Sequence, residues 1–229
     1  MQKRKVITVD GLAGSGKTSL SHALAQKLGF AHLNSGLLYR AIGLICIRSK
    51  LDTKDQGAIV AELRKHSIAL VEAKLSLDSV DETEACRDPK VSEVTSTVSA
   101  LPKVRAYLIQ MQREVYPGQD LVAEGRDMGT VVFPDAPLKF FVNADPLVRV
   151  ARRLKQLSGS LGQDAKKLEL LKKTMEQEII ERDRRDTERA VSPTIPATDA
   201  IVIDNSAQSL TETVQTMYAL ASQRGLITS

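Results

Sequence analysis

The sequence predicts an α/β fold in which a doubly wound parallel sheet of about five strands has helices on both faces. The first observation is an apolar run at 6–9 that leads into a glycine-rich turn and then into helical spacing. The second is the return of short apolar runs at 121–123, 140–142 and 201–203. Continuous apolar runs are typical of parallel strands buried on both faces, and helical patterns separate these runs.

The first elements follow the alternation of strand and helix. An apolar stripe from Leu20 to Leu28 predicts a helix, and Gly29 is its expected C-terminal cap. A short strand is expected at 31–33, and a second helix is expected at 37–48.

The alternation then breaks. Alternating apolar residues within 67–80 predict short antiparallel strands, and 88–116 is predicted as one or two helices interrupted at Pro102. A charged helical segment with a turn at 158–162 separates the last two strands, and a final helix is expected at 210–222.

These patterns divide the chain into a core and two insertions. The core comprises 1–38, 117–148 and 190–229, and a mixed α/β insertion occupies 39–116. The second insertion, at 149–189, is helical and basic, with 12 Lys/Arg against 8 Asp/Glu. A basic segment can contact nucleic acid or close over a polyphosphate, and the low aromatic content favours the polyphosphate.

Composition limits the class of protein and its location. Apolar residues make up 42% and charged residues 26% of the 229 residues, as in ordinary soluble proteins. No apolar run approaches the roughly 20 residues of a membrane span, and the basic N-terminus lacks a secretory apolar region. Cys46 and Cys86 are isolated and the histidines are scattered, so neither a disulfide framework nor a metal cluster is indicated. We therefore expect a cytoplasmic location.

The residues from Gly11 to Thr18 have the spacing GxxxxGK[ST] between the first strand and the first helix. Such a glycine-rich loop turns backbone N–H groups toward a phosphate, and the positive end of the helix points at the same place. Lys17 can reach the outer phosphates, and Thr18 can offer a hydroxyl to Mg²⁺. The loop predicts binding of a nucleoside triphosphate.

Two further motifs follow predicted strands. Ser35 and Arg40 lie at the second strand-to-helix junction, where they suit an anion, although a helix-capping serine and a solvated arginine explain them equally well. Arg126 and Asp127 stand side by side just after 121–123, between two glycines. They are interpreted as site residues, and the alternative is an ordinary surface ion pair.

The charged stretch at 181–189 has a helical pattern. Arg182, Arg185, Asp186 and Arg189 are spaced so that they lie on one face of a helix. Three guanidinium groups and one carboxylate suit bidentate contacts to phosphates and a sugar hydroxyl. A solvated helix face is the alternative, and the phosphate loop favours the functional interpretation.

The chain resembles the bacterial cytidylate kinases, members of the nucleoside monophosphate kinase family. The matching stretches are VITVDGLAGSGKTS, LNSGLLYRA, AEGRDMGTVVFPDAPLKFFVNA and ERDRRDTERAVSP, and the resemblance runs from near residue 5 to near residue 205. The resemblance implies a P-loop kinase that transfers the γ-phosphoryl group of ATP to CMP or dCMP in the presence of Mg²⁺. It also implies that 39–116 binds the monophosphate and that 149–189 closes as a lid.

The resemblance implies a set of site residues. Those for ATP are Gly11, Leu12, Ala13, Gly14, Ser15, Gly16, Lys17, Thr18 and Ser19. Those for CMP are Ser35, Arg40, Ser96, Arg105, Arg126, Asp127, Arg182, Asp186 and Arg189. The implied catalytic residues are Lys17, Arg126, Arg149, Arg153 and Arg185, with Arg152 a further lid arginine. Related kinases read Gly-Lys-Gly-Thr where this chain reads Gly16-Lys17-Thr18-Ser19, so Thr18 or Ser19 serves Mg²⁺.

The resemblance also divides the CMP set by role. Ser96, Arg105 and Asp127 are expected to contact the cytosine ring, and Arg182 and Asp186 are expected to contact the sugar.

Other functions remain as alternatives. A kinase of another small acceptor, such as UMP, AMP or shikimate, would share the phosphate loop. A regulatory GTPase should carry an Asn-Lys-x-Asp guanine motif, which the chain lacks. The pI of 9.0 suits an RNA-binding protein, but 3% aromatic residues offer few stacking surfaces. We expect nucleotides as partners, no nucleic acid or membrane partner, and a monomer.

Overall fold

The computed structural model describes residues 4–71, 74–157, 165–189 and 191–227, and at 71, 156–157 and 165–168 it describes only the backbone. The strands are β1 (Val6–Gly11), β2 (Ala31–Asn34), β3 (Ile68–Val71), β4 (Lys74–Leu77), β5 (Val80–Asp81), β6 (Leu121–Glu124), β7 (Leu138–Asn143) and β8 (Ile201–Asp204). The α-helices are α1 (Lys17–Leu28), α2 (Ser35–Arg48), α3 (Gln56–Leu63), α4 (Pro89–Val98), α5 (Pro102–Glu114), α6 (Pro146–Leu157), α7 (Ala165–Glu188) and α8 (Leu210–Gln223).

Within these described ranges, a parallel sheet of five strands has the order β2-β6-β1-β7-β8. β1 lies at its centre, where Thr8 is opposite Ala123 of β6 and Lys139 of β7. Every residue of β1 and β6 is buried, which explains their continuous apolar sequence. The predicted parallel sheet is therefore confirmed.

The two faces of the sheet cover different cores. Ile7 and Val9 of β1 pack with α1 and α8, whereas Val6 packs with the helices of the insertion. Side chains alternate between the faces of a strand, so one strand contributes to both cores. The doubly wound arrangement with helices on both faces is confirmed.

The insertion contains α2 to α5 and, among the residues described, a second antiparallel sheet in the order β3-β4-β5. Leu70, Leu75 and Leu77 are buried in this lobe. The predicted antiparallel strands and the helix break before Pro102 are confirmed.

Some details differ from the sequence prediction. Helix α2 begins at Ser35 instead of 37, because Asn34 ends β2 in an extended conformation and already acts as the N-cap. Helix α3 was not predicted, and the side chain of Asp55 caps it by accepting from two backbone N–H groups. The turn predicted at 158–162 lies outside the described residues. In the described part of the chain, no helix combines the length and apolar character needed to cross a bilayer.

Candidate active site

The phosphate loop is tightly folded between β1 and α1. Gly16 precedes α1 with a φ of +91°, and a Cβ there would lie 2.6 Å from Nδ2 of Asn205. At Gly11, a Cβ would lie 2.1 Å from the carbonyl oxygen of Val142. Side chains at these positions would force the loop apart, so the glycines are required by close approach as well as by backbone conformation.

Side chains from two later segments hold the loop from behind. Asn205 donates from Nδ2 to the carbonyl oxygen of Ser15 at 2.8 Å, and Arg152 donates to the same oxygen at 3.3 Å. Arg149 donates from Nη1 to the carbonyl oxygen of Ala13 at 3.1 Å. These bonds use carbonyl groups of the loop and none of its N–H groups, which are the groups that bind an anion.

Arg149 and Arg153 lie apart from the main cavity, although both were predicted as catalytic. The side chain of Arg149 is 3% exposed and pairs with Asp183 of α7 at 2.6 Å, so it connects the loop to α7. Arg153 is exposed on α6; burial lowers the pKa of Arg40 and of Arg182, and the charge of Arg153 adds a smaller effect in the same direction. The structure thus places Arg149 where it can position the loop.

A cavity of about 830 Å³ opens beside the phosphate loop, at the carboxyl ends of β2 and β6. It is lined by both the insertion and α7. Every residue predicted for CMP lines it: Ser35, Arg40, Ser96, Arg105, Arg126, Asp127, Arg182, Asp186 and Arg189. Lys17, Thr18 and Arg185 line it as well.

Two ion pairs join different elements at the lining of this cavity. Arg105 of α5 pairs with Asp127, and both side chains are at most 5% exposed. Arg126 donates from Nε to Oδ2 of Asp186 at 3.2 Å, which links the loop after β6 to α7. Arg126 and Asp127 are adjacent in sequence but pair with different helices, so the alternative of an ordinary surface pair between them is wrong.

The charged side chains of α7 and of the residue that follows it lie on two different faces. Arg182, Arg185, Asp186 and Arg189 line the cavity, as their helical spacing predicted. Arg184 pairs instead with Glu181 at 2.9 Å and with Glu188 at 2.8 Å, on the outer surface. Arg184 therefore faces away from the cavity, whereas the predicted face lines it, although the side chains of Arg182 and Arg185 remain 56% and 59% exposed.

Ser35 and Arg40 both lie at the wall of the cavity. Ser35 is buried at the start of α2, where Asn34 takes the N-cap position, so the capping alternative for Ser35 is wrong. Arg40 donates from Nη1 to the carbonyl oxygen of Cys86 at 2.7 Å and to Oγ of Ser92 at 2.8 Å. These bonds hold Arg40 at the wall of the cavity and exclude the solvated alternative.

The charges at the centre of the site suit an anion. Burial, reinforced by the charge of Arg126, lowers the pKa of Lys17 to about 7. Burial also lowers the pKa of Arg182, and Arg126 lowers it further. Burial raises the pKa of Glu124, which faces Lys17. An arriving phosphate would stabilise the charged forms of these cations, so the site is arranged for anion binding.

Sequence reasoning missed Asp10, the penultimate residue of β1, and Glu124, the last residue of β6. Asp10 accepts from the backbone N–H groups of Met128 at 2.8 Å and Gly129 at 2.7 Å, and so fixes the loop that follows Arg126. A carboxylate at the end of an apolar strand was the available signal, because that position lies at the ligand-binding edge of a parallel sheet.

We expect the Asp10→Asn variant to lose part of the pH dependence of stability. Burial raises the pKa of Asp10 from 3.8 to about 6. A carboxyl group with a raised pKa stabilises the fold at low pH, and this contribution is lost as pH rises from about 4 through about 6. The unfolding free energy of the wild type, relative to Asp10→Asn, should fall by about 2–3 kcal/mol over that window.

Urea unfolding of both proteins across this pH range measures the effect. Asparagine keeps one acceptor oxygen, so one of the two backbone N–H donors loses its partner, and this loss offsets the two curves equally at every pH. Parallel curves would show that Asp10 titrates as an exposed carboxyl group does.

The fold and the site together define a P-loop protein that binds nucleotide phosphates beside an arginine-rich cavity. The chain belongs to the cytidylate kinase family, because the family model for cytidylate kinase matches residues 7–223.

Individual relatives support this membership. The chain is 40% identical over 227 residues to the cytidylate kinase of Coxiella burnetii, covering 96% of this chain and 93% of that protein. It is 36% identical over 222 residues to the cytidylate kinase of Carboxydothermus hydrogenoformans, covering 95% and 97%. A solved structure from Eubacterium ventriosum aligns with a TM-score of 0.50 at 15% identity, covering 96% of this chain and 99% of that one, a likeness of fold alone.

Proposed function

We propose that this chain transfers the γ-phosphoryl group of ATP to CMP or dCMP, giving ADP and CDP or dCDP. The cavity is the observation that carries the proposal: it brings Lys17 and Thr18 of the phosphate loop together with all the residues expected to hold CMP. The relatives named cytidylate kinase support the same acceptor.

The cytosine ring is the part of the acceptor that Asp127, Arg105 and Ser96 are proposed to contact. The exocyclic amino group of cytosine donates a hydrogen bond, which a carboxylate accepts, whereas uracil presents a carbonyl oxygen at that position. Because Asp127 is paired with Arg105 in a buried setting, an acceptor with the wrong pattern leaves charged groups unsatisfied. This arrangement favours CMP over UMP.

The rest of the acceptor lies among cationic side chains. Arg182 and Asp186 are proposed to contact the sugar, and Ser35, Arg40 and Arg126 are proposed to bind the monophosphate together with Arg189. Arg126 and Arg182 flank the carboxylate of Asp186, at 3.2 Å and 4.0 Å. That carboxylate keeps the two guanidinium groups close to each other.

Phosphoryl transfer requires positioning and charge neutralisation more than covalent chemistry. An oxygen of the CMP phosphate attacks the γ-phosphorus of ATP, and the bond to the β,γ-bridging oxygen breaks. The attacking phosphate is already ionised at neutral pH, so no general base is required. Lys17 and the cavity arginines offset the repulsion between the two polyanions. Arg185 on α7 is proposed to act from the lid, which excludes water when it closes.

The hydroxyl and carboxyl oxygens near Lys17 suit a Mg²⁺ ion that arrives with the ATP phosphates. Thr18 lines the cavity, and its hydroxyl lies close enough to Glu124 to help lower the pKa of that carboxyl against the larger raising effect of burial, whereas Ser19 lies outside the cavity lining. Mg²⁺ prefers oxygen ligands and is commonly held by substrate phosphates with few protein groups. We therefore propose Thr18, rather than Ser19, as its protein contact. When bound, Mg²⁺ supplies further neutralisation of phosphate charge.

The roles that we propose for the three parts of the chain are those predicted from the sequence. We propose that 39–116 acts as the monophosphate-binding lobe, that 149–189 acts as the lid, and that the rest is the core. We also propose a monomer in the cytoplasm that binds nucleotides and neither nucleic acid nor membranes. The buried free thiols of Cys46 and Cys86 are consistent with a reducing compartment.

A coupled assay of ATP against CMP, dCMP, UMP, AMP and GMP tests the proposal. We expect kcat/KM for CMP or dCMP to exceed that for each other acceptor by about 10²-fold or more, because the buried polar contacts discriminate by hydrogen bonding. A preference for AMP, or transfer to none of the five, would refute the proposed acceptor.

A further inference from the structure

A series of buried side-chain hydrogen bonds lies behind the phosphate loop and connects β2 to the active site. Ser21 of α1 is completely buried, and its Oγ lies 2.9 Å from Nε2 of His32 on β2. The same Oγ lies 3.3 Å from Oε2 of Glu124, at the end of β6, and 3.1 Å from the carbonyl oxygen of Thr18. Three elements of the core therefore meet at one hydroxyl group.

The direction of these bonds follows from counting protons. The hydroxyl of Ser21 has one proton to donate and can accept from other groups. The carbonyl oxygen of Thr18 can only accept, and so can Glu124 when it is ionised. If Nε2 of His32 were also an acceptor, one proton would face three acceptors. The arrangement is best satisfied when His32 donates from Nε2 to Ser21, which leaves the serine proton for the other neighbours.

The surroundings of His32 are compatible with this arrangement. Burial, with a smaller effect of His22, lowers the pKa of His32 to about 4, so its ring carries a single proton at neutral pH. Nδ1 of His32 is buried and has no hydrogen-bond partner in the described part of the chain. With the proton on Nε2, Nδ1 is a bare acceptor, which avoids burying an unpaired N–H donor.

Glu124 is the group at the active-site end of this series of hydrogen bonds. It is 2% exposed and lies close enough to Lys17 and to the hydroxyl of Thr18 for both to affect its pKa. Its orientation therefore affects two residues of the phosphate loop. A buried carboxylate needs hydrogen bonds to hold one orientation, and Ser21 supplies one of them.

We propose that His32 is a positioning residue: it donates from Nε2 to Ser21, leaves the serine proton available to Glu124, and so orients Glu124 beside Lys17 and Thr18. Only the kinetic part of its test rests on the proposed function.

The first test determines which nitrogen of His32 carries the proton. Nitrogen NMR of the ¹⁵N-labelled protein, without nucleotide and at neutral pH, distinguishes the two tautomers. We expect Nε2 to be protonated and Nδ1 to be bare. A proton on Nδ1, or on both nitrogens, would overturn the proposal, and the result does not depend on any enzymatic activity.

The second test compares His32→Gln with His32→Asn. The amide nitrogen of glutamine can occupy the position of Nε2 and donate to Ser21, whereas asparagine is one methylene shorter and does not reach. We expect kcat for CMP phosphorylation to fall about 10-fold in His32→Asn and to stay within about 3-fold in His32→Gln. KM for CMP should be unchanged in both, because neither variant touches the CMP contacts.

Two further variants control for a general structural effect. Ser21→Ala should reduce kcat as much as His32→Asn, and the double variant should show little further loss, because both break the same chain of bonds. His66→Asn changes a histidine of the insertion that pairs with Asp78, remote from Glu124, and should leave kcat unchanged. Equal losses in His32→Asn and His32→Gln, or additive losses in the double variant, would overturn the proposal. Failure of wild-type transfer to every acceptor would instead refute the proposed function.

Discussion

The Lys17→Met variant is expected to lose phosphoryl transfer by about 10³-fold or more while the nucleotide-free protein stays folded. Lys17 is buried, and burial lowers its pKa to about 7. A lysine whose pKa is lower in the folded chain destabilises the fold, fully below about pH 7 and progressively less as pH rises toward its unfolded value of 10.5. Methionine fills similar space without charge, so the unfolding free energy at neutral pH should rise by on the order of 1 kcal/mol.

The coupled assay and urea unfolding measure the two effects on the same preparations. Lys27→Met is the matched control, because Lys27 lies on the same helix but is exposed and bonds to Gln215. Its activity should stay within about 2-fold of the wild type. A loss of stability in Lys17→Met would mean that Glu124 depends on the lysine as a counterion, and that burial is not the dominant effect at Lys17.

Burial patterns made most of the core predictable from sequence. β1 and β7 are central strands of the sheet, and their continuous apolar runs reflect neighbours on both faces. Gly29 ends α1 in the left-handed conformation, as expected of a C-terminal glycine. Helix α3 was not predictable in this way, because its eight residues are held by packing of Ile59 and Leu63 in the insertion core. The order of the strands also depends on tertiary contacts.

The site was predictable where one segment carries its whole pattern. The helical spacing of Arg182, Arg185 and their neighbours was enough to place them on one face, and the cavity lies against that face. The partners of Arg126 and Asp127 were not predictable, because Asp186 and Arg105 lie on distant helices. Local sequence fixes which way a side chain leaves its own element, but not which element it meets.

The series of buried hydrogen bonds from His32 to Glu124 could not be predicted from the sequence, for the same physical reason. His32, Ser21 and Glu124 lie on three different elements, and each has an unremarkable setting in its own segment. Scattered histidines suggested no role at the sequence level. Only the parallel pairing of β2 with β6, which places His32 beside Val122, brings them to one place.

Arg182→Ala is expected to reduce kcat/KM for CMP by about 10²-fold without unfolding the protein. Arg182 lines the cavity, and its guanidinium lies 4.0 Å from Asp186, which also binds Arg126. Burial and repulsion from Arg126 lower the pKa of Arg182, so in the absence of nucleotide this charge adds little to stability. Its contribution should appear when two anions share the cavity, because the guanidinium then offsets their repulsion.

Arg184→Ala supplies the control, since it removes the same group two positions further along α7. Arg184 pairs with Glu181 and Glu188 on the outer surface, where ion pairs contribute about 0–1 kcal/mol. We expect its kcat/KM to stay within about 2-fold of the wild type and its melting temperature to change little. Similar losses in both variants would point to a general effect of positive charge on nucleotide attraction. A loss confined to Arg182→Ala, and insensitive to added salt, would show that its position in the cavity matters, because added salt screens long-range attraction far more than contact inside a closed cavity.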